Sequence, residues 1–195
     1  MSTSYYDQNA SEFFNTTVSV DVSPLYEKFI PNLPTNANVI DAGCGSGRDT
    51  CFFLSKGFNV TSFDASHQLS TLANCHTQHP IMCCTFLEFS TKLDSQDGIW
   101  ACASLLHVPK SELRDTVAHL ANFLKTGGTF YCSFKYGDNE VERNGRRFTN
   151  LNERLLESLI ESLPLEIKET WVTQDLRPGR ESEKWLNALL TKNNS

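Results

Sequence analysis

From Asn38 onward, short apolar runs alternate with segments of helical length. A run of four to eight apolar residues bounded by glycine, asparagine or aspartate fits a buried strand, whereas apolar positions recurring every three or four residues fit a helix with one buried stripe. NVIDAG (38–43), FNVTSFD (58–64), IMCCTF (81–86), DGIWACAS (97–104) and TFYCSFK (129–135) are of the first kind. Segments near 49–56, 66–76 and 111–124 are of the second. Gly57 closes the first of these, Ser111 caps the third, and Gly127 and Gly128 end it before the fifth strand. A helix opened by Asn150 or Asn152 runs to Leu163, where Pro164 breaks it. LEIKETWVT (165–173) and KWLNALLT (184–191), joined through Arg177-Pro178-Gly179-Arg180, form a closing pair. With no helical crossover between them, these two strands must be antiparallel. The pattern therefore predicts an α/β sheet, parallel through five strands and ending in a hairpin, with helices on both faces. Residues 1–37 carry Tyr5, Tyr6, Phe13, Phe14 and Tyr26 at helix-compatible spacing, which predicts a segment covering one edge of the domain.

A chain of 195 residues fits one domain. Within 1–195 the expected organisation is a covering segment (1–37), a ligand-binding core (38–135), and a closing region of loops and strands (136–195). The net charge of −6, with 17 Lys+Arg against 23 Asp+Glu, offers no broad positive field for a phosphate backbone, so nucleic acid is not the expected partner. No apolar run reaches the roughly 18 residues of a bilayer span, and MSTSYYDQNASEFF has no basic start and no apolar signal core. No membrane partner and a cytoplasmic location are expected. Seven cysteines, odd in number and never spaced C-x-x-C, imply neither a disulfide framework nor a zinc site, and no metal is expected.

The strongest local motif is VIDAGCGSGRDT, with Gly43, Gly45 and Gly47 between an apolar strand and a helix. In an open α/β sheet, ligands bind at the carboxyl ends of the strands where strand order reverses. Glycines there let a ligand approach the backbone, and the helix start offers free N–H groups. A dinucleotide fingerprint would place its third glycine where Arg48 stands, which weakens a nicotinamide reading. Asp64 ends the second strand 21 residues after Gly43, where a carboxylate can accept both ribose hydroxyls of an adenosyl ligand.

In order along the chain, VIDAGCGSG, VTSFDAS, DGIWACASLLHVP and LKTGGTFYCSF resemble the motifs of class I S-adenosylmethionine-dependent methyltransferases. The resemblance covers Asn38 to about Lys135. It implies a Rossmann-like three-layer sandwich whose seven-stranded, mostly parallel sheet has an antiparallel last strand, and S-adenosyl-L-methionine as cofactor. Carried over by motif, Asp41, Gly43, Cys44, Gly45 and Gly47 would surround the methionine part and Asp64 the ribose, with Ala65 and Ser66 beside it. Phe86, Leu87 and Glu88 would lie near the adenine, although the family's acid is replaced by Phe-Leu-Glu here. Ala103 and Ser104 would face the methionyl portion. Arg48 has two readings, a contact to the methionine carboxylate or an ion pair with Asp49. The GCGSGRD loop and the compact size are similar to tellurite-resistance-type and other small-molecule methyltransferases, which makes tellurite or selenite one acceptor to consider. The Asp/Asn-Pro-Pro-Tyr motif of amino-methylating nucleic-acid enzymes is absent, Ala-Cys-Ala-Ser standing in its place.

Methyl transfer from a sulfonium is an in-line displacement that chiefly needs alignment, and a base only when the acceptor carries a proton. His107, in SLLHVP, is the candidate base, its alternative being a hydrogen-bonded histidine beneath the site. Cys44, Cys102 and Cys132 sit on neighbouring strands, where they either pack or form a soft thiol cluster. Five of the eight arginines, Arg143, Arg146, Arg147, Arg177 and Arg180, follow the fifth and sixth core strands. With Tyr6, Lys135 and Tyr136 they make the candidate acceptor side. Guanidinium forks suit a carboxylate, phosphate or other oxyanion, but Asp138, Glu140, Glu142, Asp175, Glu181 and Glu183 lie among them and can consume them in ion pairs. The expected function is methyl transfer to a small, anionic or soft nucleophilic acceptor. The alternatives are a protein that binds S-adenosylmethionine or S-adenosylhomocysteine without catalysis, and a nicotinamide oxidoreductase.

Overall fold

The computed structural model describes residues 2–177 and 179–193, so Pro178 of the expected Arg-Pro-Gly-Arg turn lies outside the described residues. Strands β1 (Asn38–Ala42), β2 (Asn59–Asp64), β3 (Ile81–Cys83), β4 (Gln96–Ala101) and β5 (Leu124–Lys135) lie parallel in one sheet. A separate hairpin, β6 (Glu140–Arg143) and β7 (Arg146–Thr149), follows. Strands β8 (Leu165–Gln174) and β9 (Lys184–Lys192) complete the main sheet in the order β3-β2-β1-β4-β5-β9-β8. Because β9 pairs antiparallel with both β5 and β8, it alone runs against the other six, as the sequence pattern predicts.

Alternation along each strand builds two cores. Val39, Trp100, Tyr131 and Leu189 point to one face, and Ile40, Ile99, Phe130 and Leu190 to the other. The N-terminal segment folds as α1 (Ser2–Gln8), α2 (Ala10–Thr17) and α3 (Ser23–Phe29). On the first face Leu25, Tyr26 and Phe29 of α3 pack with Phe53 of α4 (Arg48–Ser55). Helix α5 (His67–Thr77), N-capped by Ser66, packs against β2 and β3. Leu113, Val117 and Leu120 of α6 (Lys110–Ala121) and Leu156 and Ile160 of α7 (Glu153–Ile160) cover the second face.

Several boundaries differ from expectation for identifiable reasons. β3 stops at Cys83 rather than Phe86, because as an edge strand it has only β2 to pair with, over three positions. β4 ends at Ala101, since Ala103 takes φ 52° and the chain enters a 3-10 turn at Leu105–His107. Helix α6 starts at Lys110 with Pro109 at its N-cap, so Ser111 caps nothing and lies in the first turn. It ends at Ala121, and Leu124 already pairs with Gln96, so Gly127 and Gly128 sit within β5, beside a shift of register, rather than before it. α7 is capped by Asn152, whose side chain accepts from the Leu155 N–H at 3.0 Å, and it ends at Ile160 instead of Leu163.

Two features bear on function. The arginine-rich stretch expected as a loop is the β6–β7 hairpin, closed by Asn144 and Gly145 at φ 52° and 73°. Positive φ at both central residues is what a two-residue type I′ turn demands, and Asn-Gly is its preferred sequence. In the N-terminal segment, α1 and α2 pack on α5 and α1 touches β7, which brings Tyr6 and Phe13 to the cavity described below. Among the described residues no helix is long and apolar enough to cross a membrane.

Candidate functional site

Strand order reverses between β1 and β4, and the glycine loop after β1 sits at that point. Gly43 has φ 76°, and a Cβ there would lie 2.6 Å from the Ser104 Cβ, so only glycine lets the loop meet the turn after β4. Ser104 fixes that meeting by donating from Oγ to the Ala42 carbonyl at 2.7 Å. Gly47 serves a different contact: its Cβ would stand 2.6 Å from Thr77 Cγ2, so it allows α4 to abut α5.

Asp64 is held by two backbone donors, Gly45 N–H to Oδ2 at 2.9 Å and Ser66 N–H to Oδ1 at 2.8 Å. Each oxygen keeps a second acceptor direction, and Asp64 borders the cavity. Burial pushes this carboxyl above the usual range, against the two N–H bonds. Ser66 also donates from Oγ to Asp7 of α1 at 2.6 Å, tying the covering helix to the rim.

Beneath the loop, Asp49 accepts from Tyr26 Oη at 2.5 Å, Arg48 Nε at 2.6 Å, Arg48 Nη2 at 2.9 Å and Trp100 Nε1 at 2.8 Å. Burial alone would raise Asp49, but the Arg48 guanidinium and these donors hold it below the ordinary value. Asp41 is not paired with that guanidinium, which offsets its shift only in part. Burial first, and the Asp49 carboxylate next, push it up to about 8, with Thr50 Oγ1 donating to it at 2.6 Å. Of the two readings of Arg48, the ion pair with Asp49 is formed, and the side chain also borders the cavity.

The cavity at this end of the sheet has a volume of about 690 Å³. Gly43, Cys44, Gly45, Arg48, Asp64, Ala65, Ser66, Phe86, Leu87, Ala103 and Ser104 line it. Tyr6, His107, Lys135, Arg146, Arg147, Arg177 and Arg180 line it as well. Five expected residues do not. Asp41 is buried under the loop, and Gly47 faces α5. Glu88 turns back to accept from the Thr85 N–H at 2.9 Å. Tyr136 lies outside, donating to Glu153 at 2.8 Å, and Arg143 is exposed beside the turn of the β6–β7 hairpin.

The partners of His107 fix its chemistry. Nδ1 lies 2.7 Å from the Arg147 carbonyl oxygen, which can only accept, so Nδ1 carries the proton. Nε2 is then the lone-pair nitrogen, and the Tyr6 hydroxyl 2.7 Å away donates to it. Burial drives the imidazole down to about 4, with Arg146 and Lys135 adding to the depression and the Arg147 carbonyl opposing it. Burial likewise pushes Tyr6 up to about 12, offset in part by the neighbouring Arg146 guanidinium. Both groups are neutral near pH 7.

The arginines divide into spent and available. Arg147 pairs with Glu140 at 2.5 Å, Arg177 with Asp175 at 2.5 Å and Arg180 with Glu183 at 3.9 Å, while Lys135 is bridged to Glu183. Arg146 forms no ion pair with a carboxylate among the described residues. Its guanidinium stacks 4.4 Å from the Tyr5 ring centre and 5.3 Å from that of Phe148, and its Nε is buried with no hydrogen-bond partner. Cys132 is buried, whereas Cys44 and Cys102 border the cavity; burial pushes Cys102 and Cys132 up to about 12, which favours the thiol form. No group of three or more His, Cys, Asp or Glu among the described residues is arranged to hold a metal ion.

Sequence reasoning missed Phe13, Asp49, Asp175 and Trp185 as cavity residues. Phe13 roofs the loop, 3.2 Å from where a Cβ of Gly45 would stand, and only the tertiary path of α2 brings it there. Asp175 and Trp185 meet because β8 pairs with β9, Trp185 Nε1 donating to Asp175 at 3.0 Å.

The sheet order, with a crevice over a glycine loop at the reversal point, is that of a doubly wound α/β fold. Residues 39–128 match a family model described as a methyltransferase domain. A Burkholderia thailandensis 1,6-didemethyltoxoflavin-N1-methyltransferase, solved with bound 1,6-didemethyltoxoflavin and S-adenosylhomocysteine, superimposes with a TM-score of 0.81 at 19% identity, over 98% of this chain and 87% of that one. A SAM-dependent methyltransferase from Methanosarcina mazei gives 0.76 at 18%, over 90% and 100%. The [4+2]-cyclase SpnF gives 0.76 at 14%, over 100% and 96%. No curated protein matched the sequence. Residues 39–128 are thus similar to a methyltransferase domain, and the chain shares its fold with these solved structures.

Proposed function

We propose that the protein transfers a methyl group from S-adenosylmethionine to a small anionic acceptor held in the outer half of the cavity. The observation that carries this reading is Arg146, which lines the cavity without a carboxylate partner among the described residues while Arg147, Arg177 and Arg180 are paired. A guanidinium confined between two aromatic rings loses little further freedom when an anion binds, and its fork suits a carboxylate or other oxyanion. In this reading Asp64 takes the ribose hydroxyls, Phe86 and Leu87 flank the adenine, and Ala103, Ser104 and Arg48 border the methionyl arm. The bound cofactor supplies an electrophilic methyl on a sulfonium. The chain's own task is to align the acceptor in line with it and to exclude water. His107 is a weak base whose lone pair is engaged by Tyr6, so it acts by orienting Tyr6, and the acceptor arrives already in its nucleophilic form.

The test is a panel of small carboxylates, phosphates, thiols, selenite and tellurite, with S-adenosylhomocysteine formation as readout. For an acceptor that turns over, Arg146→Ala raises KM by roughly 10- to 100-fold, the worth of a hydrogen bond to a charged group, with cofactor affinity and Tm nearly unchanged. Loss of Tm with unchanged KM refutes the assignment. A second reading is cofactor binding without methyl transfer, since the same fold is found in the [4+2]-cyclase SpnF. Calorimetric cofactor binding with no product across the whole panel would support that reading instead.

A further inference from the structure

We propose that Tyr6 and Arg146 form a two-point recognition site for an acceptor that carries a hydrogen-bond donor, a hydroxyl or N–H, beside its anionic group. The inference rests on the reading of the outer cavity as an anionic-acceptor site and adds the second point.

The polarity of Tyr6 follows from a chain of fixed groups. The Arg147 carbonyl accepts from His107 Nδ1 at 2.7 Å, which leaves Nε2 as an acceptor, and Tyr6 donates its only proton to Nε2 at 2.7 Å. Tyr6 therefore offers the cavity lone-pair density and no proton, part of it shared with the neighbouring Arg146 guanidinium. Protonated His107 would reverse this polarity, but the groups facing it, Arg146 and Lys135, are cations, and burial adds to their effect, so the imidazole stays neutral in the working range. Arg146 has the opposite character, donors only, and its buried Nε is unpartnered.

The two points are braced as one unit. Tyr6 comes from α1, Arg146 from β7 and His107 from the turn after β4. Phe148 packs against His107 with ring centres 5.2 Å apart and lies under the Arg146 guanidinium, while Tyr5 stacks on that guanidinium and meets Tyr6 edge-on at 5.5 Å. A lone-pair surface beside a guanidinium matches a hydroxy acid or an acidic N–H heterocycle, and it repels an acceptor that presents only lone pairs to Tyr6.

The probes are racemic mandelate and phenylacetate, which share the ring and carboxylate and differ by one hydroxyl. Each is titrated calorimetrically into the full-length protein loaded with S-adenosylhomocysteine. Mandelate is expected to bind roughly fivefold more tightly, the worth of one neutral hydrogen bond. Tyr6→Phe should abolish that ratio with little change for phenylacetate, and Arg146→Gln should weaken both probes at least about tenfold. Tyr136→Phe, outside the cavity, should behave as wild type, and circular dichroism melts check that each variant folds. A wild-type ratio near one, or a ratio that survives Tyr6→Phe, overturns the two-point site while leaving the anionic reading intact if Arg146→Gln still weakens both probes. Binding unaffected by Arg146→Gln, or no binding of either probe to wild type, overturns the anionic reading and this inference with it.

Discussion

Replacing Asp49 by asparagine should be among the most costly single-atom changes in the chain. Its carboxylate takes four hydrogen bonds, from Tyr26, Trp100 and both nearby nitrogens of Arg48, and joins α3, α4 and β4 under the cofactor loop. Its side chain is 8% exposed and that of Arg48 20%, so neither charge has much recourse to water. Asparagine keeps one acceptor oxygen, so it can serve Tyr26 and Arg48 Nε or Trp100 and Arg48 Nη2 but not both pairs; its amide protons face the other two donors, and the buried cation loses its counter-charge. Breaking a buried pair from one side costs about 3–5 kcal/mol. At a urea m-value of about 2 kcal/mol/M this is a midpoint drop of roughly 1.5–2.5 M. The assay is equilibrium urea unfolding of wild type, Asp49→Asn, Arg48→Met and the double variant. Because the double variant removes the stranded cation, it should recover about 2 kcal/mol relative to the sum of the singles. A cost below about 1 kcal/mol, or strict additivity, refutes the account of this network.

Two further outcomes follow from the site. Gly43→Ala places a methyl 2.6 Å from Ser104 Cβ at φ 76°, so S-adenosylhomocysteine binding should weaken by about tenfold or more in calorimetry, and unchanged affinity would show that the loop can yield. His107 is held at about 4 in the fold against an ordinary 6.5, so the unfolded chain binds the extra proton between those values. The stability its neutral form contributes is complete above pH 6.5 and is lost as pH falls toward 4. Tm measured from pH 7.5 to 4.5 should drop more for wild type than for His107→Asn, and parallel curves would contradict the burial argument.

The order of strands and helices was legible because buried strands and amphipathic helices carry different periods, and because glycine and proline punctuate them. So was the reversal at the closing pair, since too few residues separate 165–173 from 184–191 for a crossover. The glycine loop and Asp64 were legible for the same local reason: a strand, a tight turn and a helix start are fixed by neighbours in sequence. Asn144-Gly145 carries a hairpin signal as well, but the charged residues flanking it lack the apolar alternation that marks strands.

Long-range placement was decided by the tertiary structure alone. Arg143, Arg146 and Arg147 look equivalent along the chain, yet hairpin register sends Arg147 to Glu140, leaves Arg143 exposed and carries Arg146 over Tyr5. Likewise, the sequence marked Tyr6 and His107 separately, 101 residues apart, but the tautomer that sets their polarity depends on a backbone carbonyl from a third element. Sequence determines what local periods and turn chemistry can express. Which charges are spent and which remain open to a ligand depends on distances between segments, and those exist only once the chain is packed.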